Sequence, residues 1–233
     1  MATRPQFATN GPDQEFHRFP VSVSQAHLWG VHGLTSGTNP SALMAALRLR
    51  GPLNLPAFQQ ALEEIFSRHE ILRTIVQEVA GEPAQFVAAV APQTLQVIDL
   101  RNASPEEHAV AYQQTLHQLQ DEISSSAPES LFRATLLRFA EQDQVCLFAA
   151  HALVFDAFSC EILLEEMATL YADFATGRGA SLPALKIQYP DFAVWQLEGQ
   201  TSPAFRSQSE TYYETQELGE SLPHVRLTSP SFV

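Results

Sequence analysis

The chain is poor in basic residues, in cysteine and in long apolar runs, and each shortage closes off a class of function. Lysine and arginine together number 13 against 26 aspartates and glutamates, a formal net charge of -13. A surface of that sign repels the phosphates of nucleic acid and the headgroups of anionic membranes, so neither is an expected partner. No apolar run approaches the ~18 residues that a membrane-spanning helix requires. Met1 to Phe7 carries one basic residue with no apolar core behind it, so no secretory signal is expected and the expected location is cytoplasmic. The two cysteines, Cys146 and Cys160, are too few for a disulfide framework and lack metal-ligand spacing. Cys146 lies in an apolar, strand-like run and reads as a buried, reduced thiol. No metal site, internal repeat, heptad array or low-complexity tract is visible.

What is present is the pattern of a folded α/β chain. Apolar residues make up 45% and charged residues 17% of the 233 positions, the balance of a chain that buries a core. Residues 1–15 are polar and punctuated by glycine and proline, and are expected to form a loose leader. Leu43 to Arg50 alternates like a half-buried strand. Pro56 opens a helix whose Phe58, Leu62, Ile65 and Phe66 fall on one face. Ile71–Glu78 and Gln85–Ala89 read as strands joined by a hairpin turn at Ala80-Gly81-Glu82-Pro83, and Leu95–Leu100 as a further short strand. Ser104-Pro105-Glu106-Glu107 has the capping-box pattern and starts a helix that runs to about Ile123.

Two apolar strands, Phe132–Phe139 and Val145–Ala150, follow across Glu141–Gln144. A helix comes next, with Phe158, Ile162, Leu163, Met167, Leu170 and Phe174 as its apolar stripe and Gly177 to Gly179 as its stop. Further helical segments are expected near Tyr189–Gln196 and Pro203–Glu217. Strands and helices interleave, so the fold class is α/β (or α+β) with a mixed sheet flanked by helices.

Chemistry concentrates where the strand ending near Ala150 gives way to the helix beginning near Asp156. His151 projects from a rigid strand end, a good position for proton transfer. Asp156 stands where a helix cap belongs, and a carboxylate there can also fix a neighbouring cation. Taken by themselves, the two residues read first as a buried histidine bonded to backbone beside a capping aspartate.

His151-Ala-Leu-Val-Phe-Asp156-Ala157 resembles the His-His-x-x-x-Asp-Gly motif of the condensation domains of nonribosomal peptide synthetases. Aligned on Asp156, the first histidine is His151, the second falls on Ala152 and the glycine on Ala157. Ser67-Arg-His-Glu-Ile-Leu-Arg-Thr74 is similar to a second motif of that family without mismatch. Pro20 to Trp29 resembles its opening motif, with His27 where arginine is usual. Leu131 to Arg138 and Tyr189 to Gln196 match two more, and the likeness runs from about Phe19 to Glu217. The family implies a chloramphenicol-acetyltransferase-like lobe over residues 16–218, followed by a tail, or the start of a second lobe, at 219–233. It also implies amide formation between an acyl or peptidyl thioester and an amine, each carried on the phosphopantetheine arm of a carrier protein. No bound cofactor is implied. In the family the second histidine positions or deprotonates the amine, the first supports local structure, and the aspartate is held by an arginine.

Two departures matter. Ala152 has no donor, acceptor or titratable group, so the base is missing from its usual place. A C-terminal lobe of similar size is also missing, which leaves an apolar interface without its cover. His151 as a replacement base remains an alternative to its structural role. Arg68 or Arg73 is expected to pair with Asp156, the alternative being that both cap the helix end or lie in solvent. His69 is expected to serve a dipole or packing role, and Trp29 and Trp195 to anchor packing. Three functions follow: an impaired condensation lobe, a noncatalytic scaffold or carrier-protein recognition module, or a CoA-dependent acyltransferase of the same fold; a C-terminal lobe or neighbouring synthetase domains are further candidate partners. The motif after His69 and the Tyr189–Gln196 segment favour the condensation family over the last.

Overall fold

The computed structural model describes residues 16–34, 42–89, 95–124, 130–202 and 207. The leader, the tail and most of the segment near Pro203–Glu217 lie outside them. The chain divides into two compact units, Met1–Val194 and Trp195–Val233. In chain order the elements are β1 (Phe16–Pro20), α1 (Val23–Leu34), β2 (Ala42–Arg50), α2 (Leu55–Arg68), a 3-10 turn (Glu70–Arg73), β3 (Thr74–Val79) and β4 (Glu82–Ala88). They continue with β5 (Gln96–Asp99), α3 (Pro105–Ile123), β6 (Phe132–Ala140), β7 (Asp143–His151), α4 (Ala157–Ala175) and α5 (Tyr189–Thr201). None of the described helices is long and apolar enough to cross a membrane.

The larger sheet has the order β2-β7-β6-β5. β7 runs antiparallel to both neighbours, and β5 runs parallel to β6, so the sheet is mixed as expected. β7 shows why a continuous apolar run occupies its middle. Alternate side chains of a strand face opposite ways. Cys146, Phe148 and Ala150 enter the core shared with α2 and α4, while Val145, Leu147 and Ala149 enter the core shared with Leu119 and Ile123 of α3. With both faces covered, neither set is polar. The Cys146 thiol is free and buried, and that burial pushes its pKa up, which makes it a poor nucleophile.

α2 and α3 form where their caps and stripes place them. Asn54 accepts from the Ala57 amide at 3.2 Å, and Phe58, Leu62, Ile65 and Phe66 are all 3% exposed or less. Each such side chain contributes about 1.5–3 kcal/mol by burial. Phe66 meets Phe132 edge-on with ring centroids 5.3 Å apart, tying α2 to β6. At α3 the capping box is complete: Glu107 N donates to Ser104 Oγ at 3.3 Å, and Ser104 N to Glu107 Oε2 at 2.6 Å.

Two expectations need correction. Ile71 to Arg73 is not strand but 3-10 turn, closed by Leu72 N to His69 O at 3.1 Å and Thr74 Oγ1 to Glu70 O at 2.8 Å. The opening motif, Pro20 to Trp29, runs from the last residue of β1 into α1, and its sequence pattern does not foretell either element. The α4 stripe is also narrower: Leu163, Met167 and Leu170 are buried, but Phe158 is 75% and Ile162 49% exposed. Adjacent helical residues point about 100° apart, so Ile162 and Leu163 do not share a face.

In the smaller sheet, β1-β4-β3, the hairpin turn is two residues long. Ala80 and Gly81 have φ of 56° and 88°, both left-handed, as a type I′ turn requires. Glycine adopts this freely and alanine does not. Ala80→Asn is therefore expected to stabilise the chain by about 0.5–1 kcal/mol, read as a raised urea midpoint at unchanged slope. A lower midpoint would contradict the turn assignment.

Candidate functional site

The turn after β7 is where the matched segments meet. β7 ends at His151, which is 5% exposed and lies opposite Ala42 of β2. Its amide donates to Leu131 O at 2.9 Å, joining the turn to the start of β6. Its carbonyl accepts from Val154 N at 2.9 Å, and its Nδ1 accepts from the Leu153 amide at 3.1 Å. An Nδ1 that accepts cannot carry the proton in the neutral ring, so the tautomer is the Nε2–H form. The side chain holds its own turn in shape, a role that leaves Nδ1 unable to abstract a proton from a substrate.

From α1, Gln25 reaches the same turn: its Nε2 donates to Leu153 O at 3.0 Å and its Oε1 accepts from Ser22 N at 2.9 Å. Ser22 Oγ lies 2.8 Å from the hydroxyl of Tyr189, the first residue of α5. Gln188, one residue earlier, donates to Arg68 O at 2.8 Å and accepts from Glu70 N at 3.1 Å, closing the end of α2. Ala152 is half-buried between these anchored neighbours, and Ala157 is the first helical residue of α4. Alanine takes a helical backbone at least as readily as glycine, so Ala157 suits the start of α4.

Asp156 is the N-cap of α4. Its Oδ1 accepts from Ser159 N at 2.8 Å and Ser159 Oγ at 2.7 Å. The Ser159 hydroxyl and amide hold its carboxyl below the usual carboxylate range, with burial opposing them. The expected ion pair with Arg68 or Arg73 is not formed. Arg68 Nε donates instead to Glu166 Oε1 at 3.0 Å, and its Nη1 to the carbonyl of Pro183. Arg73 binds the carbonyl of Ala88 and lies 3.3 Å from Glu70 Oε1, and its Nε is a buried donor without a partner. Ser159 occupies Oδ1 of Asp156, while Glu166, further along α4, reaches the end of α2 and takes Arg68.

Glu166 was not legible as a site residue. Its Oε2 lies 2.6 Å from His69 Nε2, so one carboxylate serves both Arg68 and His69. His69 belongs to this clamp and not to a helix dipole. A cleft of about 80 Å³ adjoins it, lined by Ile65, Ile71, Val154, Phe155, Ser159 and Ile162 among others. Ile162 of this lining is exposed, as is Phe158 one turn earlier on α4. Trp29 packs against the core as expected, whereas Trp195 is 67% exposed. Among the described residues no cluster of histidine, cysteine and carboxylate side chains is placed to hold a metal ion.

The carboxylates give the fold an acid limit. Arg101 holds Asp99 down to about 2, first through its side-chain hydrogen bond, and Ser181 and Ser159 lower Asp173 and Asp156. Depressed values in the folded state mean stability that is complete above the ordinary 3.8 and is lost as pH falls through the folded values. The melting temperature is expected to decline between about pH 4 and pH 2. Asp156→Asn keeps the cap without titrating, so it should match the parent at pH 7 and lose less on acidification. Equal acid losses in the two proteins would exclude Asp156 as a contributor.

Residues 16–231 match the family model described as the condensation domain. The cyclosporin synthetase of Tolypocladium inflatum is 36% identical over 202 residues, which are 87% of this chain and 1% of that synthetase. The starter condensation domain of rhizomide synthetase superposes with a TM-score of 0.74 at 18% identity, over 85% of this chain and 49% of that one. The X-domain from teicoplanin biosynthesis does so with a TM-score of 0.70 at 24% identity, over 92% and 46%. The chain thus spans about half the length of these solved structures, and a small fraction of the curated relative.

Proposed function

This chain belongs to the condensation-domain family, and we propose that it supplies the N-terminal lobe of an amide-forming centre from which the catalytic imidazole has been lost. In this reading residues 16–218 are the lobe and 219–233 lead towards a second lobe, which covers Phe158 and Ile162. The substrates are an acyl or peptidyl thioester and an amine, delivered on phosphopantetheine arms of carrier proteins in the cytoplasm. The amine nitrogen attacks the thioester carbonyl, the C–N bond forms, the C–S bond breaks, and the amine proton ends on the departing thiol. No bound cofactor takes part.

One observation carries the reading. The turn that would present the second histidine is fully built, anchored by Gln25, by His151 Nδ1 and by the cap at Asp156, yet the residue it presents is Ala152. The test is to combine the chain with a C-terminal lobe, load donor and acceptor carriers, and follow amide formation by intact-protein mass spectrometry beside Ala152→His. Product at a substantially higher rate from Ala152→His supports the proposal. Equal rates with and without histidine would sink it.

A second reading follows from Ala152 itself: a noncatalytic module that binds carrier proteins or a neighbouring enzyme. An X-domain similar in fold has been seen in complex with OxyB. If neither form makes product but the lobe still retains a loaded carrier in a pull-down, this second reading takes precedence.

A further inference from the structure

We propose that Gln25 is a positioning residue for position 152, holding the turn so that whatever side chain stands there is aimed. This rests on the condensation reading, but the observation behind it is separate. A strand-to-helix turn is ordinarily free to adjust, because its backbone groups bond to water. Here both polar groups of Leu153 are taken by side chains from two elements. The Leu153 amide donates to His151 Nδ1 at 3.1 Å, and the Leu153 carbonyl accepts from Gln25 Nε2 at 3.0 Å. Leu153 is 6% and Gln25 1% exposed, so water does not replace either bond. The backbone on both sides of residue 153 is thereby fixed.

The orientation of the Gln25 amide follows from its neighbours. Ser22 N–H donates to Oε1 at 2.9 Å, which leaves Nε2 as the donor to Leu153. Gln25 is itself seated by Ser22 Oγ, which accepts from the Gln25 backbone N–H at 3.2 Å and touches the Tyr189 hydroxyl at 2.8 Å. The chain of contacts runs from α5 through α1 to the turn, and residue 152 lies at its end. Gln25 touches no substrate in this arrangement; it acts by denying the turn its alternatives. An alanine at 152 gains nothing from being aimed, so the clamp marks a site built for a longer side chain.

Two substitutions separate the bonds. Gln25→Met removes both, whereas Gln25→Glu keeps the acceptor for Ser22 N–H and loses the donor to Leu153. Each is introduced beside Ala152→His and assayed with a C-terminal lobe and loaded carriers. Misplacing a reacting group by about 1 Å costs on the order of 100-fold, so kcat is expected to fall roughly 10–100-fold with KM for the acceptor carrier unchanged. Measured as the ratio to Ala152→His alone at each pH, the Gln25→Glu rate should recover part of the loss as pH falls and its carboxyl regains a proton. In the otherwise unsubstituted chain, hydrogen exchange of the Leu153 amide should rise at least about tenfold with Gln25→Met, while Leu147 in β7 is unaffected. Failure of Ala152→His by itself defeats the condensation reading and leaves the exchange measurement to decide this proposal. Unchanged kcat in the double variants, unchanged Leu153 exchange, or loss of the fold in both variants would overturn it, the last because Gln25 would then serve stability only.

Discussion

Glu166→Ala is expected to destabilise the chain by about 3 kcal/mol, the lower end of what breaking a buried ion pair costs. The side chains of Arg68 and Glu166 are 10% and 14% exposed, so the pair is mostly withdrawn from water. Truncating the glutamate leaves the Arg68 Nε–H without its acceptor and takes the partner from His69 as well. The carbonyl of Pro183 still receives Arg68 Nη1, which is why the lower end of the range applies. In a chain of this size that is a loss of roughly 6–12 °C in melting temperature. Asp156→Ala removes only a helix cap and should cost about 1 kcal/mol. The ordering is the sharper prediction. Urea midpoints in which Asp156→Ala is the worse of the two would restore an arginine pair to Asp156 and remove the clamp from Glu166. Glu166→Leu together with Arg68→Met should come back close to the parent, because a well-packed apolar pair of similar volume often replaces a buried ion pair at little cost.

That contrast also locates what the sequence could and could not convey. Period and capping are local, so α2, α3, β6, β7 and the Ser104–Glu107 box were legible from neighbouring residues. The likeness of five motifs to one family placed the turn at His151–Ala157 and identified position 152 as its centre. Partner choice is not local. Asp156 to Arg68 or Arg73 was the pairing the family suggested, yet Oδ1 of Asp156 is occupied by Ser159, three residues away. Glu166 carries no motif, and its role exists only because α4 packs beside the end of α2. Gln25 lay inside a matched motif, but its spacing to Leu153, 128 residues on, conveys nothing until the chain folds. The exposed pair Phe158 and Ile162 shows the converse: an apolar pattern read as core turns out to face outward.

Ala152→His is expected to raise amide formation by about 10²–10⁴-fold, the usual contribution of a positioned acid–base group. The parent rate need not be zero. Holding two tethered reactants together supplies much of the acceleration, and an α-amine is partly neutral near pH 7–8 without help. The gain, not the absolute rate, therefore isolates the imidazole. Its pH dependence identifies how the imidazole acts. An ordinary histidine titrates at about 6.5, and once protonated it has no lone pair to accept the amine proton. The ratio of substituted to parent rate should be level above about pH 7 and fall roughly tenfold per unit below about pH 6. Rates measured from about pH 5.5 to 8.5 on the same carriers and C-terminal lobe supply the comparison. A ratio that stays high at acid pH would mean that the side chain only orients the amine, and base catalysis at position 152 would have to be abandoned. A ratio that falls with the histidine titration would show that the turn built by β7, α1 and α4 still presents a base as soon as one is supplied.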